Sequence, residues 1–128
     1  MRDSSDKHFA FSTLLDAMPD AIVIADTGGR IVEVNIHTVG MFGYSRAELV
    51  GEPVESLMPE RFRGKHVGER EEYAENPHVR PMGIGMALLG LKKDGQEFPI
   101  EISLSPYHSG GGPLVVAAIR DVSARKSG

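Results

Sequence analysis

The chain has no cysteine. That excludes disulfides, a cysteine nucleophile and any thiolate metal site. No apolar run approaches the ~20 residues that a membrane-spanning helix needs. The N-terminal MRDSSDKHF contains no apolar segment of the kind a secretory signal carries, so the expected location is cytoplasmic. A basic excess is missing too. With 14 Lys and Arg against 18 Asp and Glu, the formal net charge is −4, whereas a nucleic-acid surface normally shows a basic stripe. There is no glycine-rich phosphate loop, no Ser-His-Asp order and no cluster of carboxylates. Gly83 and Gly85 form a GxG that lacks the third glycine and opens a strand, so a dinucleotide-binding turn is excluded. The histidines His8, His37, His66, His78 and His108 show no zinc-motif spacing. An enzyme is therefore not expected.

What is present suits one folded domain. At 128 residues, 41% hydrophobic and 25% charged, the chain can bury a real core and is not a disordered tail. Phe11, Leu14, Leu15 and Met18 recur at helical spacing, which predicts an amphipathic helix over 5–18 ended by Pro19-Asp20. Two short strands come next, Ala21 to Asp26 and Arg30 to Asn35, joined by Thr27-Gly28-Gly29. A short helix spans 36–42. Ser45 with Glu48 forms a capping box for a further turn, broken at Gly51 and Pro53. Pro59 to about Glu75 reads as a charge-rich helix. Three strands close the chain: Gly83 to Leu91, Glu97 to Ser105 and Leu114 to Asp121. Lys93-Asp94-Gly95 and Ser109-Gly110-Gly111-Gly112 are the turns between them.

The expected fold class is α+β: a five-stranded antiparallel sheet with helices on one face. Ile100, Ile102 and Leu104 alternate with Glu101, Ser103 and Ser105, as one buried and one wetter face require. LVVAAI in the last strand is continuously apolar. Its second face must be covered by the N-terminal helix or by a second subunit.

Two segments then take on a family character: NIHTVGMFGYSRAELVG from Asn35 to Gly51, and KKDGQEFPIEISLSP from Lys92 to Pro106. Their order resembles a PAS (Per-Arnt-Sim) sensory domain over nearly the whole chain. The resemblance implies an N-terminal flanking helix over 5–18, a sensor domain over 19–123 and the start of a signalling linker over 124–128. It implies a bacterial-type signal-transduction module, as in two-component systems, that binds a small ligand and passes a conformational change to an effector such as a histidine kinase. The missing cysteine rules out the flavin-adduct photoreceptor of this family and the type that tethers its chromophore through sulfur.

PERFRGKHVGEREEYAENPHVRPMGIGM, from Pro59 to Met86, is similar to the haem-binding segment of the FixL-type oxygen-sensing kinases. By that resemblance His66 would ligate the iron of a haem b. His78 would neighbour one propionate, and Arg70, a helical turn past His66, would pair with the other. Ile84, Ile102 and Leu104 would line the distal wall. Where those sensors place an arginine that stabilises bound oxygen, this chain has Met86, a side chain able to be a sixth iron ligand. The alternative is a cofactor-free interaction module whose apolar pocket is empty or takes a fatty acyl chain, stabilised by ~0.8 kcal/mol per buried CH₂. The closing IRDVSARKSG resembles the family's exit motif, with Asp121 locking the strand end and Ser123 capping a signalling helix. The resemblance also implies a homodimer through the N-terminal helix and the outer sheet face.

Overall fold

A computed structural model describes residues 13–80 and 88–124. Its strands are β1 (Ala21–Asp26), β2 (Ile31–Val34), β3 (Leu88–Leu91), β4 (Glu97–Ser109) and β5 (Gly112–Asp121). They form one antiparallel sheet in the order β2-β1-β5-β4-β3. The helical elements between β2 and β3 are Ile36–Phe42, Arg46–Leu49, the 3₁₀ turns Val54–Leu57 and Glu60–Phe62, and the long helix Arg63–Glu75. The expected α+β class and five-stranded sheet are the observed ones. Among the described residues no helix is long and apolar enough to cross a membrane.

Local chemistry accounts for most boundaries. Asn35 leaves the strand that was expected to contain it and caps helix Ile36–Phe42, its Oδ1 accepting from the Thr38 amide at 3.2 Å. Gly43 ends that helix at φ 84°, a left-handed cap that glycine adopts at no steric cost. The predicted capping box is complete: the Ser45 amide donates to Glu48 Oε1 at 2.8 Å, and the Glu48 amide to Ser45 Oγ at 3.2 Å.

The β4–β5 hairpin is longer than the sequence suggested. Pairing continues through His108↔Pro113 to Ser109↔Gly112, which leaves Gly110 and Gly111 as a two-residue turn, and Gly112 enters β5 at φ 125°. The charge-rich helix begins later than Pro59, after the 3₁₀ turn Glu60–Phe62. Of the strand expected over 83–91, the described part is Leu88–Leu91. Of the helix expected over 5–18, residues 13–17 are described and helical. Met18 is described as a bend beyond the helix end, and residues 5–12 and 83–87 lie outside the described residues.

The core sits on the helical face of the sheet. Val23, Ile100 and Ile119 pack against Phe42, Leu49 and Leu57, all buried. Phe42 and Phe98 meet with ring centroids 5.4 Å apart at 60°, a tilted pairing that aromatic quadrupoles favour. The opposite face carries a smaller cluster, in which Leu15 covers Ile22 and Ile24, with Leu114, Val116 and Ala118 packed alongside. On its second face the continuously apolar β5 is only partly covered: Leu114, Val116 and Ala118 are half-buried beside the cluster of Leu15, Ile22 and Ile24.

Candidate functional site

Beneath the inner sheet face and against the long helix lies a cavity of about 210 Å³. Its sheet wall includes Val23, Ile100, Ile102, Leu104 and Ala117. Its helical wall includes His66, Arg70 and Tyr73, one helical stripe at i, i+4 and i+7. That spacing lets a helix whose other positions are charged turn a single mixed face inward. Arg80 reaches the cavity because its backbone pairs with Leu104, amide to carbonyl, at 2.8 and 2.9 Å.

The polar end of the cavity is organised by Glu55, on the 3₁₀ turn Val54–Leu57. Its Oε2 accepts from Arg70 Nε at 3.0 Å and lies 2.7 Å from His66 Nδ1. The Glu55 side chain is 8% exposed, against 20% for Arg70 and 35% for His66. Burial pushes the Glu55 carboxyl up, but the hydrogen bonds from Arg70 and His66 outweigh it and hold the group below its ordinary value. An ionised carboxylate only accepts, so His66 Nδ1 carries the proton in this pair. Among the described residues His66 Nε2 has no hydrogen-bond partner. Arg70 also lies across the β1–β2 turn. A Cβ on Gly29 would collide with the Arg70 guanidinium, and Gly29 has φ +85°, so the turn needs glycine twice over.

Of the residues singled out in the sequence, the fold brings His66, Arg70, Ile102 and Leu104 to one cavity. His78 is exposed and outside the cavity lining. Its Nδ1 lies 2.8 Å from the Asn76 carbonyl, its ring centroid is 5.2 Å from that of Tyr73, and its carbonyl accepts from the Tyr73 hydroxyl. Burial raises the Tyr73 hydroxyl above its ordinary pKa despite that hydrogen bond. Ile84 and Met86 lie outside the described residues. Glu55, Tyr73 and Arg80 were not anticipated. Tyr73 was readable as the third member of the helical stripe begun by His66, whereas Glu55 and Arg80 carry no local signal. Among the described residues no group of three or more His, Asp or Glu could hold a bare metal ion.

At the end of β5, Asp121 Oδ1 accepts from the Ser123 amide at 2.9 Å and the Ser123 hydroxyl at 2.6 Å. Arg120 Nε lies 3.2 Å from Asp20 Oδ1, tying the strand that leaves the sheet to the segment that enters it. Ile100, a cavity residue, is the register partner of Asp121.

Residues 10–122 match the family model described as the PAS fold. Among curated proteins, the sensor protein FixL of Bradyrhizobium diazoefficiens is 33% identical over 113 residues, 87% of this chain and 22% of FixL. The oxygen sensor protein DosP of Escherichia coli is 26% identical over 88% of this chain and 14% of DosP. The chain thus spans about a fifth or less of either relative's length. Among solved structures, a PAS domain from Colwellia psychrerythraea superimposes with a TM-score of 0.74 at 25% identity, covering 96% of this chain and all of that one. A PAS domain from a two-component sensor histidine kinase gives 0.72 at 18% identity over 93% of this chain and 99% of that one.

Proposed function

The chain belongs to the PAS family, and from that premise we propose that it is the ligand-sensing domain of a signalling protein, that its ligand is haem, and that His66 is the axial ligand. The observation that carries this reading is the state of His66. It lines an apolar cavity, and its Nδ1 is engaged by a buried carboxylate, which leaves Nε2 for an iron. A metal-bound histidine almost always donates its other ring N–H to such a partner. Arg70 and Arg80, both on the cavity wall, supply the cationic groups that propionates need. Ile102 and Leu104 make the apolar wall. Haem supplies, when bound, an iron centre that takes diatomic gases and changes redox state. The likeness to FixL and DosP supports this assignment.

The response is a population shift: a ligand that prefers one arrangement of the cavity walls draws the ensemble toward it. Ile100 pairs with Asp121, so β4 and β5 link the cavity directly to the exit. There the Asp121–Ser123 hydrogen bonds hold the start of the segment leading to an effector such as a histidine kinase. The outer sheet face and the N-terminal helix form the homodimer surface in this reading.

One observation favours a second reading. A cavity of about 210 Å³ is small beside the ~300–1,000 Å³ of drug-sized ligand sites. A cofactor-free module, or one holding a single acyl chain with its carboxylate at Arg70 or Arg80, needs less space.

The ultraviolet–visible spectrum of protein expressed with ample haem supply separates the two. The expected result is a Soret band that shifts on reduction and with carbon monoxide, and that His66→Ala abolishes. A colourless wild-type protein, or a Soret band unaffected by His66→Ala, would overturn the haem assignment. Native mass spectrometry would then show whether an acyl ligand is retained.

A further inference from the structure

Of the three charged or ionisable side chains joined here, Glu55 is the most buried, 8% exposed against 20% for Arg70 and 35% for His66. It sits on the turn Val54–Leu57, while both of its partners belong to the long helix. A single oxygen, Oε2, serves both His66 Nδ1 and Arg70 Nε. The turn is itself anchored, because the Val54 amide donates to the Gly29 carbonyl at 2.8 Å and Arg30 bridges to Pro53. The carboxylate is therefore held by the β1–β2 hairpin and not by the helix it acts on. Free histidine prefers its proton on Nε2, which would place the lone pair on Nδ1. A buried acceptor 2.7 Å from Nδ1 reverses that preference.

We infer that Glu55 is the positioning residue of this cavity, fixing His66 as the Nδ1–H tautomer and so making Nε2 the nitrogen offered to a ligand. This deepens the haem reading of the same site. It differs from a structural ion pair in one respect. An ion pair with Arg70 alone would add stability and leave the His66 tautomer free. Positioning requires the tautomer to depend on Glu55.

The experiment reads the two separately. Long-range ¹H–¹⁵N correlation spectra of the haem-free protein, with the His66 ring assigned through His66→Ala, report which nitrogen is protonated in the neutral imidazole. The wild-type ring is expected as Nδ1–H. Glu55→Ala is expected to shift it toward Nε2–H, and Glu55→Gln, which keeps the shape and an acceptor oxygen, to restore Nδ1–H in part. Hemin titration of the same proteins is expected to show affinity ~10–100-fold weaker for Glu55→Ala than for wild type, the usual effect of removing such a partner, with Glu55→Gln between them. A wild-type ring protonated on Nε2, or a tautomer unchanged in Glu55→Ala with circular dichroism intact, would overturn the inference. So would equal hemin affinity in wild type and Glu55→Ala. An Nδ1–H wild-type ring in a protein that takes no hemin would support the positioning and sink the haem reading.

Discussion

Asn35 is 1% exposed and has every side-chain polar atom engaged. Oδ1 accepts from the Ile22 amide at 2.9 Å and from Thr38, while Nδ2 donates to the carbonyls of Leu15 at 2.7 Å and Asp20 at 2.9 Å. One side chain thereby joins the N-terminal turn, β1 and helix Ile36–Phe42. Its cap lies within reach of sequence reading, because Asn35 directly precedes the short helix expected over 36–42 and capping is a relation between neighbours. Its bonds to Leu15 and Asp20 had no local signature. Glu48 shows the same division. Its capping box with Ser45 comes from spacing, but its salt bridge to Lys93, at 2.7 Å, depends on the fold. The Lys93 hydrogen bond, followed by that from the Ser45 amide, lowers the Glu48 carboxyl from 4.5 to about 2. A carboxyl with a depressed folded-state pKa stabilises above its unfolded pKa and loses that stabilisation as pH falls through the folded one. Thermal melts of wild type and Glu48→Gln should therefore differ most at neutral pH. The difference should shrink below pH 4.5 and vanish near pH 2. A gap that persists at pH 2 would show that the pairing is not ionic.

At the scale of elements, β3 lies close to two aromatic rings. A Cβ on Gly90 would fall 2.9 Å from Phe98 Cε1 and 3.1 Å from Phe42 Cε1, distances at which a ring must move. Gly90→Ala is expected to cost about 1–3 kcal/mol, the usual penalty of overpacking a filled core. A urea titration checks this, and an unchanged midpoint would mean that the rings yield freely. No sequence rule distinguishes Gly90 from a loop glycine, since its requirement arises from the rings of Phe98 on the paired strand and of Phe42, forty-eight positions away in the chain. The long helix gave the opposite difficulty. Its composition suggests a fully solvated surface helix, and among its residues only Tyr73 is buried. Yet the stripe His66, Arg70, Tyr73 forms one wall of the cavity. A wall that faces a cavity and a carboxylate needs polar residues as well as apolar ones, so hydrophobic periodicity alone underrates it.

Across the whole molecule, the sheet is covered unevenly. The inner face has the helices and the main core, and the outer face has the small cluster around Leu15. Leu15 is 5% exposed, so Leu15→Ala should destabilise by about 2–3 kcal/mol, in the lower part of the range for a buried leucine. Denaturant unfolding would measure it, and a loss under about 0.5 kcal/mol would show that the outer face does not depend on this cover. The antiparallel α+β class, the hairpin turns, the caps and the alternation in β4 were all legible in the sequence, because each rests on period or on neighbours in the chain. His66, Arg70, Ile102 and Leu104 were legible as candidates for one site through a family pattern. Tertiary structure alone decided that Glu55 sits between His66 and Arg70, that Arg80 joins the cavity through Leu104, and that His78 stands outside it. Those are contacts between elements whose approach is set by packing against the shared core, and packing distance is not written in spacing along the chain.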